Sequence, residues 1–238
     1  MKIAVHQCTS PAGDVAIALS EVRSALAMAS AGQADICVLP ELLFPGYNQP
    51  EAIRALAQVQ GGSWEVSVSH MAADANCGIV FGWAEREGDV IYNAASVFDE
   101  NGVKIAHYRK HHLFGPQEKE IFESANQDCV FTFRDTLCGV LICYDIEFTE
   151  PARKLAGQGV QHIFVPTANP DQYADVSDVT LRSRALENAV TVTYANLCGV
   201  EGDLTYSGLS VVAGPDGKHL LRCGTTRSFS LIDTDEAS

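Results

Sequence analysis

Glu41, Lys110 and Cys143 each stand at the end of an expected strand, and each is a residue type suited to chemistry on a carbonyl. Thr136–Ile142 is aliphatic or β-branched and reads as a buried strand. It passes directly into Cys143-Tyr-Asp-Ile-Glu-Phe-Thr-Glu-Pro151, where Thr149 is a candidate N-cap with Glu150 and Pro151 in the first turn. A cysteine at a strand-to-helix junction has its sulfur near backbone N–H groups and a helix N-terminus, which lower a thiol pKa and hold an oxyanion. Glu41 lies in Pro40–Tyr47, a loop with two prolines and a glycine after the strand Ile36–Leu39. There a carboxylate takes a thiol proton if desolvation raises its pKa. Lys110, after the strand Lys104–Arg109, supplies fixed positive charge where an oxyanion develops. Each has a plainer reading: Cys143 as a small core hydrophobe, Glu41 as a loop cap, Arg109-Lys110 as surface charge.

Composition narrows the partners. At 238 residues, 47% hydrophobic and 19% charged, the chain has enough apolar material for a sizeable core and reads as one domain over residues 1–238. A net charge of -14 excludes nucleic acid and anionic membrane as natural partners and leaves small molecules or proteins. Eight scattered cysteines form no C-x-x-C pair and no zinc spacing, so they read as reduced thiols of a cytoplasmic protein without a metal. His111 and His112 are adjacent and in an extended segment point to opposite faces, which does not suit a metal. Residues 1–13 carry no signal peptide or span.

The remaining elements must position these side chains. Strands are expected at Lys2–Cys8, Cys77–Glu85, Val90–Phe98, Asp128–Phe133, His162–Pro166, Thr191–Cys198, Gly208–Ala213, His219–Cys223 and Ser228–Asp233. Helices are expected from Asp14 to Ala31, then over Glu51–Gln60, Ser63–Asn76 and Asp178–Asn188. Lys110–Gln127 reads as a long polar loop, a kind of connection that is usually functional. Helices cover sheets of mixed parallel and antiparallel pairs, an α/β arrangement with a weak hint of two similar halves.

Leu39-Pro-Glu41, Tyr108-Arg-Lys110 with His112-Leu-Phe, and Ile142-Cys143-Tyr-Asp145 together resemble the signatures of the nitrilase superfamily, the carbon-nitrogen hydrolases. The likeness continues through Asn93-Ala-Ala, Pro166-Thr-Ala-Asn169, Arg184-Ala-Leu-Glu-Asn188 and Tyr194-Ala-Asn196. The resemblance implies a four-layer α-β-β-α sandwich with two mixed sheets, homodimers or larger homo-oligomers, and no cofactor. It implies Glu41 as general base, Lys110 as electrostatic stabiliser, Cys143 as nucleophile, and Glu118 as a second glutamate that positions substrate and nucleophile. The implied reaction passes through a cysteine thioester, with Lys110 and the Tyr144 N–H on the oxyanion. Nitrile or N-carbamoyl hydrolysis by the same residues, and a catalytically silent metabolite-binding member, are the alternatives.

Cys143-Tyr-Asp-Ile-Glu-Phe is most similar to the aliphatic amidase branch with 5-aminopentanamidase and the R-stereoselective amidases, which implies a small aliphatic primary amide as substrate. Glu147 stands where ω-amidase-like relatives carry an arginine; an acid there repels a substrate carboxylate and attracts an amine, unless it merely pairs with Arg153 or another cation. Tyr47, Tyr144 and Asn169 are further pocket candidates, each of which also suits a scaffold role. Thr149-Glu150-Pro151 departs from the usual Pro-Glu of the family, which implies a rebuilt helix start.

Overall fold

A computed structural model describes residues 1–235. The first half runs β1 (Lys2–Gln7), α1 (Val15–Ala31), β2 (Ile36–Val38), α2 (Pro50–Leu56), α3 (Ser63–Ala75), β3 (Gly78–Glu87), β4 (Val90–Phe98) and β5 (Lys104–Arg109). Asp14 starts α1 as expected, its Oδ1 accepting from the amides of Ala16 at 2.8 Å and Ile17 at 3.2 Å. Ala18, Val22, Ala25, Leu26 and Ala29 form its buried stripe. The second half runs α4 (Gly115–Ile121), β6 (Val130–Phe133), β7 (Thr136–Val140), α5 (Thr149–Gly157), β8 (His162–Thr167) and α6 (Leu181–Asn188). It continues with β9 (Thr191–Asn196), β10 (Cys198–Glu201), β11 (Leu204–Ser207), β12 (Val211–Ala213), β13 (His219–Arg222) and β14 (Ser228–Asp233).

Two six-stranded sheets carry the architecture, ordered β14-β1-β2-β3-β4-β5 and β13-β12-β9-β8-β7-β6. In the first sheet β1, β2 and β3 run parallel and every other pairing is antiparallel. The second repeats this wiring, with β7, β8 and β9 as its parallel centre. The two similar halves are therefore real at the level of topology. Ile3, Val5, Ile36, Val38 and Val80 enter one buried cluster with Val140, Ile163 and Phe164 of the second sheet. Their sequence neighbours Ala4, Cys37 and Ile79 enter a second cluster with α1 and α3, so successive residues serve opposite faces. Gly139 of β7 faces Leu155 of α5, which covers the outside of the second sheet. The result is an α-β-β-α sandwich.

The structure departs from expectation at four places. Lys110–Gln127 is not a structureless loop but holds α4, entered through Gly115-Pro116; the polar composition hid a helix whose buried residues are only Glu118 and Ile121. Residues 198–207 form a separate hairpin of β10 and β11 instead of one strand end and a loop. The second helix ends at Leu56, short of Gln60. Finally, the start of α5 differs from expectation. A one-turn 3-10 helix, Cys143–Glu147, intervenes, and Phe148 occupies the cap position of α5 with no side-chain cap, so Thr149 is not the N-cap.

Candidate active site

Glu41 follows β2, Lys110 follows β5, and Cys143 follows the strand residues of β7. All three are buried, Glu41 at 0%, Lys110 at 1% and Cys143 at 8% exposure. The Glu41 loop lies hard against β3: a Cβ on Gly82 would stand 2.5 Å from the Leu42 nitrogen and 2.6 Å from the Glu41 Cα, so only glycine permits the approach.

Lys110 is the hub. Its Nζ donates to Glu41 Oε1 at 2.7 Å and to Glu118 Oε1 at 2.8 Å. Glu41 Oε1 also accepts from Asn93 Nδ2 at 2.7 Å. Glu118 is held by the Tyr47 hydroxyl, which donates to Oε1 at 2.6 Å, and by the Phe114 amide, which donates to Oε2 at 2.9 Å. Glu41 Oε2 is buried and has no hydrogen-bond partner among the described residues. A buried carboxylate oxygen left open is a ready proton acceptor.

Burial raises the Glu41 carboxyl above the ordinary glutamate range, and Glu118 adds to this against the pull of Lys110. Burial alone would depress the Lys110 ammonium, but Glu118 and Glu41 outweigh it and hold its pKa well above normal. The Cys143 thiol is raised, by burial first and by Glu41 second, while Lys110 and the Ala168 amide oppose. This reverses the expectation of a thiol activated by a helix N-terminus. The physical reason is location: the sulfur is desolvated beside carboxylates, and the first turn of α5 begins at Thr149. A thiol held neutral needs a base at the moment of reaction, and a base with a raised pKa stays protonated to higher pH. The acid limb of kcat/KM for any reaction using Glu41 as base is therefore expected above pH 4.5, the ordinary glutamate value. A rate profile that stays flat down to that pH would contradict this.

Cys143 itself has φ +45°, a left-handed conformation that costs a non-glycine residue about 1–3 kcal/mol. Nothing in the sequence marked this strain. Arg184 supports the turn from α6: Nε donates to the carbonyls of Ile146 at 3.0 Å and Phe148 at 3.2 Å, and one terminal nitrogen to that of Glu147 at 2.6 Å. Asp145, fully buried, accepts from Ile142, Tyr108 and His112. Neither Arg184 nor Asp145 drew a role from sequence reasoning, although both lie in motifs read there.

The pocket candidates divide. Tyr47 is 8% exposed and serves Glu118 directly. Tyr144 is half-buried in an aromatic group, edge-on to Phe114 at 5.1 Å and to Phe148 at 4.9 Å. Asn169 spends its side-chain nitrogen on the Tyr173 carbonyl at 2.9 Å, a scaffold contact. Glu147 is half-buried, and its carboxylate forms no ion pair or hydrogen bond among the described residues. Burial raises its pKa while Lys110 and Arg184 pull against that, so it shares a field with Lys110. The alternative reading, in which Glu147 merely pairs with Arg153, has no such contact behind it: the two form no ion pair.

No helix among the described residues is long and apolar enough to cross a membrane. The chain matches the family described as carbon-nitrogen hydrolase over residues 2–235. It is 41% identical over 238 residues to a Pseudomonas protegens protein described as "Hydrolase in pqqF 5'region", covering 99% of this chain and 83% of that one. It is 29% identical over 236 residues to an (R)-stereoselective amidase of Pseudomonas sp., covering 99% and 85%. A solved structure of a mutant amidase from Nesterenkonia sp. AN1, with acrylamide added to its active-site cysteine, superposes with a TM-score of 0.93 at 33% identity, covering 98% of this chain and 92% of that one.

Proposed function

The chain belongs to the carbon-nitrogen hydrolase family and is a cysteine-dependent hydrolase of C–N bonds; from that premise we propose that it cleaves a small aliphatic primary amide through a thioester on Cys143. The observation that carries this reading is the buried Lys110 bridge between Glu41 and Glu118, with Glu41 Oε2 left open. Glu41 takes the Cys143 proton as the sulfur attacks the amide carbon. Lys110 has three N–H donors and spends two on carboxylates, which leaves the third for the oxyanion beside the Tyr144 N–H. Collapse breaks the C–N bond, Glu41 returns its proton to the leaving ammonia, and the thioester remains. Water then gives a proton to Glu41 and attacks the acyl carbon, releasing the carboxylic acid and the thiol.

The unpaired Glu147 carboxylate favours an amide that also bears an ammonium group. Ammonia release from a panel of neutral amides, aminoamides, carboxylate-bearing amides, nitriles and carbamoyl compounds tests both statements. Aminoamides are expected to turn over fastest, and Glu147→Gln to lower their kcat/KM about tenfold or more while barely changing neutral amides. Faster turnover of succinamate-type substrates would remove the amine preference. Inertness towards every amide would remove the amidase reading itself.

A further inference from the structure

We propose that Asp145 is a positioning residue that clamps the nucleophile turn to the strand end carrying Lys110, and that catalysis depends on this clamp. The inference rests on Cys143 being the nucleophile. Asp145 lies two residues after Cys143 and is fully buried. Its Oδ2 accepts from the Ile142 amide at 3.1 Å and the Tyr108 hydroxyl at 2.9 Å. Its Oδ1 accepts from the His112 amide at 2.7 Å and faces His112 Nδ1 at 2.9 Å. Tyr108 and His112 flank Lys110, two residues to either side. Among the described residues, every hydrogen bond between residues 104–114 and residues 141–148 ends on this carboxylate.

The placement bears on chemistry because Lys110 and Cys143 belong to different sheets, and nothing covalent fixes their separation. Cys143 is also the residue held at φ +45°, a conformation that persists only where its surroundings over-determine it. Asp145 supplies such determination on one side by fixing the Ile142 amide just before the sulfur. On the other side it fixes the backbone just after Lys110. The His112 ring continues the contact, stacked on Phe148 at 4.0 Å between centroids. A carboxylate is needed, since the groups converging on it include two backbone amides and a phenol, all of which require an acceptor.

Asp145→Asn keeps the volume but turns one acceptor into a donor facing donors. The expected result is a kcat for ammonia release lowered roughly 10- to 100-fold with KM nearly unchanged, because small misplacements of reacting groups act on the chemical step. The rate constant for alkylation of Cys143 by iodoacetamide, followed by mass spectrometry, is expected to fall in parallel. Tyr108→Phe removes one donor only and is expected to lower both rates roughly two- to tenfold. Wild-type kcat and alkylation rates in folded Asp145→Asn overturn the proposal. So does a loss explained wholly by unfolded molecules, with the folded fraction still alkylated at the wild-type rate. If Asp145→Asn does not fold, wild-type rates in Tyr108→Phe overturn it instead. Alkylation reads the thiol without turnover, so it tests the clamp separately from the amidase reading, whose failure would show as no ammonia release from any amide by the wild-type protein.

Discussion

Cys143→Ala is expected to lower ammonia release by about 10⁵-fold, the scale seen when the nucleophile of a covalent mechanism is removed. The remaining charges cannot form an acyl intermediate, so only their field is left to act on a bound amide. Stability is expected to change little. The substitution removes a single sulfur at a site 8% exposed, and alanine inherits the same φ of +45° without relieving it. A loss of about 1 kcal/mol or less is the expected thermal cost. Mass spectrometry of the wild-type protein mixed with a slow amide should find one acyl adduct on Cys143, absent from the alanine variant. Undiminished turnover by Cys143→Ala would sink the thioester mechanism.

Lys110→Met strikes both activity and fold. Methionine fills much the same volume but leaves Glu41 and Glu118 facing each other at 0% and 3% exposure with no cation between them. Removing one partner of a buried ion pair costs about 3–5 kcal/mol, because the remaining charge stays desolvated. The carboxylates escape part of that cost by taking up a proton, so the deficit should shrink as pH falls. The sign follows from the charge: protonating an acid whose folded-state pKa has risen stabilises the folded form at lower pH. Denaturant titrations at several pH values read this directly. Activity should fall at least 100-fold, since the oxyanion loses its ammonium donor. A stable, active Lys110→Met protein would show that the bridge is neither structural glue nor catalytic charge.

Much of this was legible before any coordinates. The near-continuous apolar runs that became β1, β3, β4 and β8 have side chains serving two buried faces, which is why their apolar pattern stands out. Glu41, Lys110 and Cys143 could be singled out because each puts a residue type suited to chemistry on a carbonyl at a strand end. What stayed hidden depends on pairing across distance. α4 has too few apolar residues to announce itself, and its buried members are a glutamate and one isoleucine. The direction of the Cys143 shift depends first on burial and then on Glu41, roughly a hundred residues away in sequence, and local reading from the helix start gave the opposite sign. Asp145 looked like part of a motif, and its partners Tyr108 and His112 lie more than 30 positions earlier.

The repeated wiring of the two sheets separates the machinery by origin: Glu41 and Lys110 come from the first sheet, Cys143 from the second. If the sheets part during partial unfolding, Glu41 and Lys110 leave together while Cys143 stays behind. Under the proposed mechanism the thiol that then meets solvent has lost its base, so the damaged enzyme is expected to be disarmed before it is unfolded. Hydrolytic power in this molecule is thus a property of docking, and loss of turnover on heating should serve as an early gauge of slippage between the layers.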